Sequence, residues 1–153
     1  MYKRQLDKRH TNLGSVFQYF VGNLDFSPVA GNSTDKCCHN YALFRDADRN
    51  HWSIPYDFDL TSFVEVPYLE PNPKYKQRHT RQRIYRGRCY NQDVLPETLQ
   101  RFRDQKIQID SLIAFQDELK DSSRKRVRSF MRDFYKDLED EQKLIKKFSK
   151  ACI

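Results

Sequence analysis

Four oxygen-bearing side chains stand at three separated points of the chain. Asp25 ends Val21-Gly22-Asn23-Leu24-Asp25, Asn40 follows His39, and Asp57 and Asp59 close Ile54-Pro55-Tyr56-Asp57-Phe58-Asp59. Magnesium prefers Asp and Asn oxygens and keeps several of its waters. Phosphoryl transfer asks little more of a protein than a carboxylate to orient the attacking hydroxyl and such ligands for the bridging metal. Asn23 and His39 flank these residues. Each also has a plainer role by itself. Asp25 can cap a turn, Asn40 can begin a strand, and Asp57 and Asp59 can bond to arginines of a later basic stretch. Their joint occurrence, in this order and beside turns, points to phosphoryl transfer. An acid/base hydrolase pair ranks last, because side chains on one short strand lie too close and too parallel to flank a scissile bond at roughly 5–9 Å.

The elements that must carry these residues follow from hydrophobic spacing. Leu13, Val16, Phe17, Phe20, Val21 and Leu24 recur at helical intervals, which predicts a helix capped by Thr11 or Asn12 and stopped at Gly22-Asn23. Ser27 to Lys36 reads as a surface loop rich in Gly, Pro, Ser and Asn. Tyr41 to Arg45 and His51 to Pro55, separated by Asp46-Ala47-Asp48-Arg49-Asn50, have the pattern of a β-hairpin. If the return strand continues, Asp57 and Asp59 share a face, and two carboxylates aimed together need a cation or a proton between them.

Residues 67–73 are punctuated by proline and read as irregular. The chain then turns helical, with Pro96 suited to a first turn. Leu95, Leu99 and Phe102, then Ile109, Leu112, Ile113 and Leu119, form apolar stripes. Val127, Phe130, Met131, Phe134, Tyr135 and Leu138 mark the strongest helix, capped by Ser122 or Ser123. Leu144, Ile145 and Phe148 end the series. All these stripes read as core.

Composition narrows the class. The 153 residues suffice for one domain with a real core. Charged residues make up 32%, but 11 Phe and 9 Tyr argue against disorder. No apolar run is long enough to span a membrane, and Met1 to His10 has no apolar segment of the kind a signal peptide needs. The net charge of +7 suits an anionic partner. Lys74, Lys76, Arg78, Arg81, Arg83, Arg86 and Arg88 cluster with no acid among them, as a solvated loop or a docking face. A nucleic-acid surface, with Tyr75, Tyr85 and Tyr90 as stacking platforms, is the lesser reading. Nucleic acid is not the expected partner.

Cys37, Cys38, Cys89 and Cys152 lack the C-x-x-C spacing of a zinc site. Neighbouring cysteines rarely pair with each other. Cys37 and Cys38 could each reach Cys89 or Cys152, implying an oxidising compartment, or all four could be reduced.

The ordered motifs resemble the active-site region of CotH-type spore-coat kinases and, more distantly, of HipA-type kinases. Those families show N-x-D, a downstream Asn, and a hairpin ending in a P-[WY]-D-x-D-like sequence. A closer resemblance is to exported bacterial proteins of uncharacterised activity. They read G-N-x-D-[WF]-S, C-C-H-N, P-Y-D-F-D and Y-R-G-x-C, the last being Tyr85-Arg86-Gly87-Arg88-Cys89 here. The similarity runs from about Val16 to Tyr135.

It implies an α+β, mostly α, atypical kinase-like C-lobe with the acidic motif on a small hairpin and a helical C-terminal subdomain. Residues 1–10 would be a lead-in and 11–153 one domain, divided into a metal and catalytic loop region (11–73), a basic connector (74–92) and the helical subdomain (93–153). By this resemblance Asp25 is the catalytic base. Asn40 and Asp57 are metal ligands, and Asp59 is a second ligand or a structural residue. Asn23, His39, Arg86 and Arg88 contact substrate or phosphate.

The cofactors implied are magnesium (or manganese) and ATP, and the acceptor is an unknown protein or small molecule. No glycine-rich phosphate loop or nucleotide-clamping lysine is present, so an N-terminal lobe of a parent chain is the expected partner. The Asp25–Asn40 interval far exceeds that of an ordinary kinase loop. The loop must therefore fold back, and a disulfide from Cys37 or Cys38 could pin it. The resemblance and the cysteines place the parent protein in the periplasm or outside the cell. The alternative function is an inactive, pseudokinase-like binding or structural module.

Overall fold

The computed structural model describes residues 6–31 and 37–153, so residues 32–36 of the predicted Ser27–Lys36 loop lie outside the described residues. It is an α+β structure dominated by helices, with one antiparallel hairpin. The order is α1 (Lys8–Val21), β1 (Tyr41–Arg45), β2 (His51–Pro55), α2 (Leu95–Asp104), α3 (Lys106–Ala114), α4 (Asp121–Glu139) and α5 (Glu141–Ala151). Short 3-10 turns occupy Pro73–Tyr75 and Cys89–Val94.

The first helix begins earlier than its hydrophobic spacing predicts. Asp7 is the N-cap, and its carboxylate accepts the His10 N–H at 2.7 Å. Thr11 and Asn12, the expected caps, are buried inside the helix. Leu6, within the expected lead-in, is buried and bridges to His51. The helix stops at Gly22 as expected. This glycine takes φ 69°, and its N–H bonds back to the last turn, a conformation that costs glycine little. A Cβ here would collide with the Ser62 side chain and the Phe130 ring, so the helix end is fixed by conformation and by space.

The hairpin has the predicted strands, with Tyr41 opposite Pro55 and Arg45 opposite His51. Asp46 holds its turn, accepting the Asn50 N–H at 2.8 Å and the Trp52 indole N–H at 2.9 Å.

The core is aromatic. Tyr19 and Phe20 of α1 meet Phe102, Phe134, Tyr135 and Phe148 of the later helices, mostly edge to face, a geometry that adds to area burial. Tyr85 stacks on Phe148 with centroids 3.9 Å apart, so it is a core residue and not a stacking platform. Three details differ from expectation. Leu119 lies between α3 and α4 and is only half-buried. Leu112 is 72% exposed, because α3 turns only Ile109 and Ile113 toward the core. Helix α4 is preceded by Lys120 and starts at Asp121, with no side-chain cap from Ser122 or Ser123.

The sulfurs of Cys89 and Cys152 lie 2.02 Å apart, and those of Cys37 and Cys38 lie 1.91 Å apart. Both pairs are at disulfide distance. This differs from both alternatives the sequence left open, a link from Cys37 or Cys38 to Cys89 or Cys152 and four reduced thiols. The reason is placement: Cys89 sits beside the chain end, where the Ile153 N–H donates to the Gly87 carbonyl at 2.9 Å. Cys38 packs instead with Phe26 and Tyr41. No helix among the described residues is long and apolar enough to cross a membrane.

Candidate functional site

The end of α1 leads into Asn23 and Asp25, of which Asp25 reaches the surface. Asn23 is buried, and its side-chain oxygen accepts the Asp25 N–H at 2.8 Å. That bond curls the chain so that Asp25 leaves the helix axis. The chain then runs through Ser27, whose backbone exchanges two 2.9 Å hydrogen bonds with His39. This bridge answers the long Asp25–Asn40 interval. The loop folds back through backbone pairing between its two ends, with no disulfide across it.

The bridge places two side chains on the Asp25 carboxylate. His39 Nε2 lies 2.7 Å from Oδ1, and the Asn40 amide donates to Oδ2 at 2.9 Å and to the Asp25 carbonyl at 2.7 Å. Asn40 has φ 57°, a left-handed conformation that Asn tolerates better than most residues. Its own carbonyl accepts the Tyr56 N–H at 3.2 Å. One backbone bond therefore joins the Asp25 cluster to the segment bearing Asp57. The Asp25 and His39 side chains are 37% and 47% exposed, so the pair is open to a ligand.

Arg86 supports this cluster from the connector. Its guanidinium donates to the carbonyls of Leu24 (2.9 Å) and Phe26 (2.8 Å), on either side of Asp25. It lies between the rings of Phe26 and Tyr75, 4.6 and 4.2 Å from their centroids. Burial lowers its pKa. Sequence reasoning gave Arg86 to phosphate, but two of its N–H groups are committed to backbone, so it first shapes the loop. Arg88 precedes the Cys89–Val94 turn and is partly exposed.

Asp57 and Asp59 are placed differently from the expected shared strand face. Strand β2 ends at Pro55, and the acids follow in a turn. The Asp57 carboxylate accepts the Asp59 N–H at 3.2 Å, and the Asp59 carboxylate accepts the Leu60 N–H at 2.7 Å. Short acidic side chains readily close such turns. Phe58 between them packs edge-on against Phe17. Neither acid pairs with an arginine of the connector among the described residues; Arg81 takes Glu65 instead. No group of three His, Cys, Asp or Glu side chains among the described residues is gathered closely enough to hold a metal.

A cleft of about 350 Å³ opens over Asp25 and His39, with Asn72, Lys74, Tyr75 and Arg86 on its other wall. Asn40, Asp57 and Asp59 do not line it. Lys74 and Asn72 are the residues sequence reasoning missed here. Lys74 lay in plain view in the basic stretch, but nothing local distinguished it from its neighbours.

The remaining connector cations are partly structural. Arg83 is the clearest case. It donates to the carbonyls of Phe20 (3.2 Å) and Phe130 (2.6 Å), lies 3.5 Å from the Phe130 ring centroid, and has its pKa lowered to about 10 by burial. With Arg81, Arg83 and Arg86 engaged, three of the seven connector cations serve the fold itself, which reduces the charge a nucleic-acid surface would draw on. No family model, curated protein or solved structure matches the chain.

Proposed function

We propose that the chain is the catalytic portion of an atypical, CotH-like phosphotransferase, transferring a phosphoryl group from magnesium–ATP to an unidentified acceptor. The observation that carries this reading is the three-way junction of Asp25, His39 and Asn40, of which Asp25 and His39 line a cleft edged by Lys74 and Arg86. Carboxylate, imidazole and carboxamide converge there from two ends of a loop, beside positive charge.

In this reading the Asp25 carboxylate orients the acceptor hydroxyl and takes its proton as the oxygen bonds to phosphorus and the bond to ADP breaks. His39 and Asn40 fix the carboxylate, and Asn23 fixes the backbone beneath it. Lys74 offsets phosphate charge in the cleft. Asn40 Oδ1 and the outer oxygens of Asp57 and Asp59 take no hydrogen bond from the described residues, so they are the candidate magnesium or manganese ligands. Magnesium needs only one or two protein carboxylates when water and phosphate supply the rest, and when bound it would neutralise charge building on the phosphoryl oxygens. The nucleotide-clamping lobe comes from a parent polypeptide. The cysteine pairs favour an oxidising compartment, periplasmic or extracellular.

Both oxygens of Asp25 are already hydrogen-bonded, and this favours a second reading as an inactive, pseudokinase-like module. Phosphoryl transfer from magnesium–ATP by the parent polypeptide, followed by ³¹P NMR, separates the two. Asp25→Asn is expected to slow transfer about 10²–10⁴-fold. An unaltered rate removes Asp25 as base, and absence of transfer in the unmodified protein favours the inactive module.

A further inference from the structure

Helix α4 has two faces of different character. Val127, Phe130, Met131, Phe134, Tyr135 and Leu138 are buried. On another side, Lys125, Arg128, Arg132 and Lys136 follow one another at helical spacing and are exposed. Together with Lys106 of α3 they line a groove of about 700 Å³ whose only acids are Asp110 and Glu139. None of these five cations forms an ion pair with a described residue. Elsewhere Lys8, Arg9, Arg103, Arg126 and Lys147 each find a carboxylate. The groove is therefore a concentration of uncompensated charge.

Three apolar side chains of α3 and its C-terminal end are exposed as well, though they do not line the groove. Ile107, Leu112 and Phe115 are 76%, 72% and 80% exposed. At about 100° per residue they fall on the side of α3 away from Ile109 and Ile113, which pack on the core. The helix carrying them is held firmly. Arg124 donates to the carbonyls of Ile113, Ala114, Gln116 and Leu119, tying the C-terminal end of α3 to α4. The α3–α4 pair thus displays three large exposed apolar side chains and five cations without a carboxylate partner among the described residues, one of them, Lys106, lying over the Tyr135 ring at 5.1 Å.

We propose that the α3–α4 face docks on an anionic phospholipid surface. Headgroup phosphates enter the groove, and Ile107, Leu112 and Phe115 sit at the acyl boundary. Exposed aliphatic side chains on the same helix pair as a basic groove match a lipid interface, where apolar burial and attraction to anionic headgroups add. A nucleic-acid groove would use its apolar positions for base stacking, and only Phe115 of the three could do that. Asp117 and Glu118 follow Phe115 and limit how deeply this end can insert. The inference is independent of the Asp25 cleft.

Co-sedimentation of the chain with phosphatidylcholine vesicles, with and without phosphatidylglycerol, tests it. Binding is expected only with phosphatidylglycerol and should fall as salt shortens the Debye length. Arg128→Gln and Arg132→Gln should each weaken partitioning about fivefold. Leu112→Ser with Phe115→Ser should weaken it roughly tenfold or more. All four positions are exposed, and circular dichroism of the variants checks that the helices persist. Equal binding to both vesicle types, salt-insensitive binding, or variants that partition like the unmodified chain would overturn the proposal. So would binding to a single-stranded oligonucleotide with none to vesicles.

Discussion

The helical core and the Asp25 loop pair meet at the end of α1, yet they are held by different forces. The core joins α1 to α2, α4 and α5 through a continuous aromatic cluster in which Phe134 touches Phe20, Tyr19, Phe102 and Tyr135. The loop pair has one small apolar cluster of Phe26, Cys38 and Tyr41 and otherwise relies on directional bonds from Asn23, Asn40 and Arg86. Burial is additive and tolerant, whereas a few directional bonds act together. A protein built this way can have its site dismantled by one substitution without unfolding.

Phe134→Ala should have the largest effect, because a fully buried ring is lost from the centre of the cluster. A stability loss of about 3–5 kcal/mol is expected in denaturant unfolding, with every probe shifting together. Cys152→Ser comes next. The Cys89–Cys152 pair spans a sequence separation of 63, and opening it should cost about 4 kcal/mol or less on the chain-entropy account. This loss is global too, since it acts through the unfolded chain.

Arg86→Met should behave differently. It leaves the Leu24 and Phe26 carbonyls without their donor, at a cost of about 1.5–3 kcal/mol. Hydrogen exchange should quicken in residues 23–31 and 37–40 while amides of α4 keep their protection. If α4 loses protection equally, the two regions are one cooperative unit and the contrast fails.

The smallest effect near neutral pH concerns buried tyrosines. Burial pushes the pKa of Tyr41 and of Tyr85 up to about 12. The neutral form is thus favoured in the folded protein. Their stabilisation is complete below the ordinary tyrosine value near 10 and is lost as pH rises from there through about 12. Tyr41→Phe should flatten that alkaline decline in a series of thermal melts.

The division also explains what the sequence could tell. The hairpin and the Gly22 stop were legible because alternation, turn residues and glycine act locally. The core stripes were legible because apolar spacing reports burial, except at Leu112, where spacing could not say which side of α3 would be covered. The start of α1 was hidden because Asp7 lies among basic, polar residues that mask its capping role. The roles of Arg83 and Arg86 were not legible at all. Their partners are backbone carbonyls some 60 residues away, at a separation of 63 for Phe20 and 62 for Leu24, and a carbonyl carries no sequence signature. In the site, residue types were readable, and so was the need for the loop to return. The means of return, a Ser27–His39 backbone bridge, was not.

The proposed function requires Asn40 and Asp57 to ligate one divalent cation beside Asp25. Paramagnetic broadening by manganese in amide NMR spectra tests it most directly. The resonances of Asp25, Asn40 and Asp57 are expected to broaden first and together, and excess magnesium is expected to restore them. Broadening at Asp57 that leaves Asp25 and Asn40 sharp would contradict it.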